Sequence, residues 1–307
     1  MHSPNDAKTE RRAAPDAQAE DALELRSTAD GSLTLYDPAV DQTFHSDRGA
    51  IAEARYVYLG ASGAAARLAV GDALRVFEVG LGSGMNLLLT LDAAMSGGAR
   101  LHYRALERRP PPAEQVRRMD LGRFLDRPEL VEAWLEVLTD LRARETWARE
   151  ARAREMHGRE ALGREAHHET GPEPERREPS LASYELPGDA LLEVALGNAT
   201  AGAAGPPVGP ATAAMEPGWA DAWYHDAFSP SASPELWSEA FLSACARALA
   251  PGGVWVSYSV AGAVRRRLQA AGLVTAKLAG PPGGKREMCR AVRSRESGSA
   301  PTAWPTR

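Results

Sequence analysis

The chain has 307 residues, 44% hydrophobic and 25% charged, with a formal net charge of −5. That length supports one large domain or two small ones around a full core, the composition excludes a fibrous or wholly disordered protein, and the charge excludes a basic coat over the whole surface, leaving only local basic patches. No run approaches the ~20 apolar residues that span a bilayer, residues 1–20 lack the apolar core of a signal peptide, and two cysteines are too few for a disulfide framework or a cysteine-rich zinc site. Cys245 and Cys289 read as buried thiols in a reducing cytoplasm.

Residues 1–30 are rich in Ala, Asp, Glu and Arg without lasting periodicity, which predicts a disordered tail. The first structure is expected within Leu33–Leu59. An alternation then begins, with a strand at Arg75–Val79, a glycine turn over Gly80–Gly84 and a helix at Met85–Ala94. A second strand, Leu101–Leu106, ends at Glu107, and Leu121–Leu141 reads as a helix. Leu191–Leu196 and Asp221–His225 are further strands. Pro234–Leu249 reads as a helix stopped by Pro251-Gly252-Gly253. Val254–Tyr258 is a fifth strand, Val264–Ala271 a helix, and Val274–Leu278 and Glu287–Val292 form a closing pair. Strands alternating with helices predict an α/β, doubly wound, mostly parallel sheet, and the helix-free last pair adds an antiparallel edge strand. One domain over residues 31–293 is expected, with a second tail at 294–307.

Residues 142–180 interrupt the pattern as a charged low-complexity insert. Over residues 142–179 there are nine Arg and nine Glu, and Glu145, Glu150, Glu155 and Glu160 each precede an Arg by four residues. Glu-before-Arg at that spacing contributes roughly 0.2–0.5 kcal/mol per pair to an isolated helix, so the segment predicts a solvated single helix that breaks at Gly171-Pro172. Residues 201–218, rich in Ala, Gly and Pro, read as a flexible loop.

The chemistry starts at Glu78-Val-Gly80-Leu-Gly82-Ser-Gly84, between a strand and a helix. Glycines let the backbone approach a ligand closely, and the helix start offers unpaired N–H groups. The dinucleotide fingerprint wants its third glycine one residue later, where Met85 stands, so a nicotinamide cofactor fits poorly. The tighter spacing, with an acid two residues before the first glycine, suits the amino-acid part of S-adenosyl-L-methionine. Glu107 ends the second strand, where a carboxylate can accept both ribose hydroxyls. Asn198, after the third strand, offers an amide that can pair with an adenine edge. Plain turn or surface roles for Glu107 and Asn198 stay open at this point.

The run Asp221-Ala-Trp223-Tyr-His225-Asp226-Ala227-Phe228-Ser-Pro230, continuing to Pro234 and Trp237, is more specific than any glycine turn. It resembles the methyltransferase domain of the bifunctional tRNA 5-methylaminomethyl-2-thiouridine biosynthesis protein and its stand-alone relatives, in the pattern D-A-W-F-L-D-G-F-A-P-x-x-N-P-x-M-W. Phe44-His45-Ser46, Glu53 to Leu59, Ser257 to Arg266 and Lys285-Arg286-Glu287-Met288 resemble further blocks of that family. The likeness covers roughly 41–110 and 190–292 and leaves the charged insert unmatched.

The resemblance implies a Rossmann-like class I methyltransferase over 31–293, with S-adenosyl-L-methionine as cofactor and the aminomethyl group of 5-aminomethyl-2-thiouridine at the tRNA wobble position as acceptor. It implies Asp226 as the catalytic carboxylate, orienting the amine and accepting its proton. Glu78, Gly80, Gly82, Gly84, Glu107 and Asn198 would bind the cofactor, and Phe228, Pro230 and Tyr258 the substrate. It implies a cytoplasmic enzyme without metal or membrane partner, with tRNA as its partner and a separate enzyme supplying the aminomethyl intermediate. Arg265, Arg266, Arg267, Lys285 and Arg286 are candidates for tRNA phosphate contacts. The sequence departs from the family pattern at Asn198, where Asp is usual, at His225, where an apolar residue is usual, and at Ala227, where Gly is common. His225 is expected to be a packing substitution, and Trp223 and Trp237 core or wall residues. Two other readings stay open, methylation of a different amine and a non-catalytic methyltransferase-like binding module.

Overall fold

The structure is a computed structural model that describes residues 23–162, 181–200, 207 and 210–295. Eleven strands are present among the described residues: β1 (Glu24–Ser27), β2 (Leu33–Asp37), β3 (Gln42–Thr43), β4 (Leu74–Val79), β5 (Leu101–Glu107), β6 (Ala182–Leu186), β7 (Ala190–Leu196), β8 (Ala220–His225), β9 (Leu249–Ser257), β10 (Leu273–Ala279) and β11 (Glu287–Arg293). The α-helices are α1 (Ala50–Glu53), α2 (Ala64–Ala69), α3 (Met85–Gly97), α4 (Ala113–Arg117), α5 (Leu130–Leu162), α6 (Pro210–Ala214), α7 (Glu239–Ala248) and α8 (Gly262–Ala270), and a π-helical turn covers Ala54–Gly60.

The main sheet has eight strands in the order β10-β11-β9-β8-β4-β5-β7-β6. β9, β8, β4, β5 and β7 run parallel. Both edges are antiparallel: β11 lies between β9 and β10, and β6 pairs with β7. The doubly wound expectation holds, and the closing pair forms the antiparallel edge read from the sequence. The second edge, β6, was not anticipated. It arises from a tight connection in which Gly188 and Asp189 both take positive φ, at 76° and 58°.

Side chains on the parallel strands alternate between two cores, as a period of two requires. Val76, Tyr103, Val194, Ala222 and Tyr224 pack beneath α1, α2, α3 and α5. Phe77, Trp223 and Trp255 pack beneath α6, α7 and α8. Trp223 stacks on Phe77 with ring centroids 4.1 Å apart, and Trp237 is fully buried in the same layer, so both tryptophans are core residues. Cys245 and Cys289 are free and buried there too.

Several expected boundaries move. Structure begins inside the expected tail, because β1 pairs with β2 and orders Glu24–Ser27. The long helix starts at Leu130, after a 3₁₀ turn at Leu121–Phe124, and it does not stop at Leu141. It continues to Leu162, about 50 Å in all, so the first half of the charged insert is an extension of a core helix. Glu150 and Arg154 pair at 3.9 Å on its exposed face, but Glu145 is buried and Arg142 donates to the Pro110 carbonyl at 2.9 Å. The sequence periodicity registered charge and missed that this turn still packs. The break expected at Gly171-Pro172 lies outside the described residues. Within the expected 201–218 loop, Pro210–Ala214 is helical, and residues 201–206 lie outside the described residues. The helix expected over Pro234–Leu249 is a 3₁₀ turn, Pro234–Trp237, followed by α7, which Ser238 caps by accepting from the Phe241 N–H at 3.2 Å.

Candidate active site

The chain order reverses at β4, with β5 on one side and β8 on the other, and open α/β sheets bind ligands at the strand C-termini around such a point. A cavity of about 400 Å³ lies there, within the range of small-molecule sites. Its walls come from the ends of four parallel strands: Val79–Gly82, Leu106–Pro111, Gly197–Thr200 and Asp226–Phe228. The N-terminal meander covers it, with Leu23, Asp37, Phe44 and His45 on the lining. Gln42 ties this cover to the substrate loop, donating to Ser229 Oγ at 2.6 Å and accepting from the Ser229 N–H at 3.0 Å.

The glycine turn is built as the sequence requires. Gly80, Gly82 and Gly84 have φ of 91°, 52° and 79°, a region that side chains disfavour. A Cβ at Gly80 would lie 2.8 Å from the Asp226 carbonyl oxygen, so only glycine lets β4 and β8 stay together at their ends. A Cβ at Gly84 would run into the indole of Trp134, which buttresses the turn from α5 and donates from Nε1 to the Ser83 carbonyl at 2.7 Å. Glu107 locks the turn from the other side. Its carboxylate accepts the Gly82 N–H at 2.8 Å and the Arg109 N–H at 2.7 Å. A carboxylate has about four acceptor positions, so two remain for a diol in the cavity. Asn198 stands exposed on the neighbouring cavity wall.

At the opposite end, Asp226 follows directly from β8. Its side chain is 4% exposed and borders the cavity. Tyr58, presented by the π-helical turn, donates to Oδ1 at 2.5 Å, and Asn86 in the first turn of α3 donates to Oδ2 at 2.8 Å. His45 Nδ1 lies 3.6 Å from Oδ2. Burial first, and the nearby Glu78 carboxylate second, raise the Asp226 carboxyl well above its usual range against the Tyr58 and Asn86 hydrogen bonds. Burial also lowers His45 to about 4, so its imidazole is neutral at physiological pH. Phe228 meets Phe44 edge-on at 5.5 Å and forms an aromatic wall beside the carboxylate.

Five of the expected site residues therefore line one cavity with Asp226: Gly80, Gly82, Glu107, Asn198 and Phe228. Four stand elsewhere. Gly84 lies behind the turn, against Trp134. Glu78 is buried beneath the turn and its carboxylate is taken by Asn86 Nδ2 at 2.7 Å and the Tyr103 hydroxyl at 2.8 Å, so it does not meet the cavity. The reason is the strand pleat: Glu78 points to the α3 face, where the helix covers it. Pro230 lines a separate shallow groove with Pro234, Trp237 and Arg267. Tyr258 supports the Asp226 loop from behind, donating to the Ala227 carbonyl at 2.8 Å, with Lys285 Nζ 3.8 Å from its ring centre. His225 is fully buried among Trp237, Phe241 and Trp255, consistent with packing. Arg267 donates to the Trp237 carbonyl at 2.7 Å and so serves the fold.

Tyr58, Asn86, His45 and Phe44 were given no role from the sequence. Asn86 had a local signal, a short polar residue two places after the last glycine, set between Met85 and the run Leu87–Leu89. Phe44, His45 and Tyr58 lie in blocks that resemble the family, but only tertiary packing brings them to the site.

The cavity fits S-adenosyl-L-methionine on its own features: a backbone cradle that glycines keep open and, one strand away, a carboxylate with acceptor positions to spare. Residues 183–294 match the S-adenosyl-L-methionine-dependent methyltransferase family. The chain is 30% identical over 263 residues to the tRNA 5-methylaminomethyl-2-thiouridine biosynthesis bifunctional protein MnmC of Cupriavidus metallidurans, covering 83% of this chain and 32% of that one. It is 32% identical over 279 residues to MnmC of Caulobacter vibrioides, covering 88% and 39%. The crystal structure of MNMC2 from Aquifex aeolicus superposes with a TM-score of 0.58 at 25% identity, covering 92% of this chain and 74% of that one.

The chain is MnmC-like. It spans about a third of the length of the curated relatives it matches. S-adenosyl-L-methionine is the cofactor of the matched family, as the glycine spacing led us to expect. Among the described residues, no group of three or more His, Cys, Asp or Glu could hold a metal ion, and no helix is long and apolar enough to cross a membrane.

Two outcomes test the MnmC-like pocket directly. Glu107→Ala is expected to weaken S-adenosyl-L-methionine binding by about 1–3 kcal/mol, read by calorimetry, because the proposed ribose acceptor and the Gly82 and Arg109 anchors go together. Unchanged affinity would remove Glu107 from the cofactor site. Burial raises Glu78 from 4.5 to about 8, opposed by the Asn86 and Tyr103 hydrogen bonds. A carboxyl raised on folding stabilises fully below its unfolded value and loses that contribution as pH rises through its folded value. The melting temperature therefore falls between pH 5 and pH 9, and Glu78→Gln flattens the fall.

Proposed function

We infer that this protein transfers the methyl group of S-adenosyl-L-methionine to the aminomethyl nitrogen of 5-aminomethyl-2-thiouridine at the wobble position of tRNA. One observation carries the reading: a buried carboxylate, Asp226, borders the cavity at the strand end opposite the ribose-type acceptor Glu107. The names of the curated relatives supply the substrate class.

The bound cofactor supplies an electrophilic methyl on a sulfonium. The chain's task is then to present a neutral nitrogen in line with that carbon, and positioning alone can supply much of the acceleration. Asp226, held by Tyr58 and Asn86, accepts an N–H of the acceptor and takes the proton that an ammonium must lose before it can attack. Its raised basicity suits that transfer better than an ordinary carboxylate would. Phe228 and Phe44 give an apolar wall against which a base can pack and which excludes water from the reacting nitrogen. We place the enzyme in the cytoplasm with its tRNA, downstream of a separate amine-forming reaction on the same uridine.

The test is nucleoside mass analysis of tRNA carrying 5-aminomethyl-2-thiouridine after incubation with protein and cofactor. The expected result is loss of that nucleoside and gain of its methylamino form. An unchanged peak, with cofactor binding intact, would redirect the reading to another amine, and absent cofactor binding at millimolar ligand would leave a binding module.

A further inference from the structure

Below the cavity, the hydrogen bonds that hold Asp226 run on to a second buried acid, Glu78, that the reaction as described does not use. Glu78 pairs in register with Tyr224 across β4 and β8, which puts its side chain on the same face as that of Asp226, one pleat lower. Asn86 sits between the two acids and spends both amide protons on them, one on Glu78 Oε1 at 2.7 Å and one on Asp226 Oδ2 at 2.8 Å. Tyr103 donates to the far oxygen of Glu78 and Tyr58 to the far oxygen of Asp226. Glu78 and Asn86 are 1% and 3% exposed, and the Asn86 amide oxygen has no partner. Every donor in the chain points at a carboxylate oxygen, and the two carboxylates share a single amide.

Resting on the methyltransferase reading of this site, we propose that Glu78 is a positioning residue that acts through Asn86 on Asp226, and that the two acids together carry one negative charge and one proton in the resting protein. Two carboxylates joined through one buried amide cannot both ionise cheaply, because each burdens the other as a like charge in a medium that solvates neither. The upward displacement of both groups agrees. The remaining charged and titratable groups facing the pair do not supply the missing neutralisation. Glu53 from α1 and Glu107 from β5 add negative charge, His45 beside Asp226 is neutral, and the Tyr58, Tyr103, Tyr224 and Tyr258 hydroxyls stay protonated. Lys285, from the β10–β11 loop, does act on Asp226, but Glu53 and Asp47 draw on the same charge.

The single charge gives the acceptor step its balance. The substrate ammonium gives its proton to Asp226 when Asp226 is the ionised member and Glu78 holds the proton, which leaves both acids protonated and the amine neutral. The nitrogen lone pair then forms the N–CH₃ bond while the S–CH₃ pair returns to sulfur, and the positive charge ends on the product nitrogen. The pair gives up the extra proton to water as the product leaves. With Glu78 replaced by a neutral group the like charge is gone, and Asp226 ionises at lower pH.

The experiment is a carboxyl ¹³C NMR titration of the whole protein with labelled Asp and Glu, run without substrate so that it does not depend on turnover. Wild type is expected to show two linked steps shared between Glu78 and Asp226. Glu78→Gln should collapse them to one step on Asp226, lower by roughly a unit or more, and the pH profile of methyl transfer should move down with it while cofactor affinity stays within twofold. Tyr103→Phe, which removes a donor from Glu78 and leaves the core filled, should move the steps upward and serves if the first variant folds poorly. Independent ionisation of both acids in their ordinary range, or an Asp226 step that does not move in either variant, overturns the proposal. Linked steps in a protein that leaves tRNA unmethylated would instead sink the functional reading and leave the shared proton standing.

Discussion

Asp226→Ala loses at least ~100-fold in turnover while binding S-adenosyl-L-methionine almost as wild type does. The division follows from where the carboxylate sits. It borders the cavity at the end of β8 and accepts from Tyr58 and Asn86, whereas the ribose-type acceptor Glu107 and the turn glycines lie on β4 and β5. Removing it takes away the group that we propose orients the amine and receives its proton, and leaves the glycine turn and Glu107 in place. The fold should survive, since the change deletes a buried acid that Glu78 and Glu53 already burden. Single-turnover methylation at saturating cofactor, set beside calorimetric cofactor affinity, reads both halves. Asp226→Asn should resemble alanine in rate, because an amide cannot take the proton. An equal drop in affinity and rate would move Asp226 into the cofactor site.

Trp134→Ala is expected to cost about 3–5 kcal/mol in stability, as for a large buried aromatic truncated in place, and to weaken cofactor binding as well. Trp134 is 2% exposed, fills the space behind Gly84 that no side chain at that position could share, and holds the Ser83 carbonyl. Its loss opens a cavity under the turn and frees the Ser83–Gly84 peptide within the glycine turn. Urea unfolding gives the first quantity and calorimetry the second. Trp134→Phe keeps most of the volume and loses only the N–H, so it should retain most of the stability and show the hydrogen-bond loss of about 1 kcal/mol. A Trp134→Ala protein that unfolds at the wild-type urea concentration would mean that the turn stands without its buttress.

The long helix shows a boundary that sequence reasoning could not place. Its charged repeat looked like an insert from residue 142, yet Arg142 reaches the Pro110 carbonyl and Glu145 is buried. A deletion that begins at 142 would therefore cut into the cavity wall. Periodicity reports which residues are polar, and it cannot report which polar residues find a buried partner. The same limit applies to the first thirty residues, where β1 is ordered by pairing with β2 rather than by any strong strand signal of its own.

What was legible in the sequence was local. The strand, the three glycines and the helix start could be read at Glu78–Met85 because positive φ restricts those positions to few residue types. Glu107, Asn198 and Asp226 could be read because strand ends on a parallel sheet face one edge. The resemblance across Asp221–Trp237 added the chemistry, and the family match and relatives agree with it. Tertiary structure alone decided which carboxylates meet the cavity. Glu78 and Asp226 are both strand-end acids in sequence, yet α3 covers one while the other opens onto the pocket, and an asparagine eight residues past Glu78 joins them. Burial and hydrogen bonding are set by what packs above a side chain, and that neighbour comes from elsewhere in the chain.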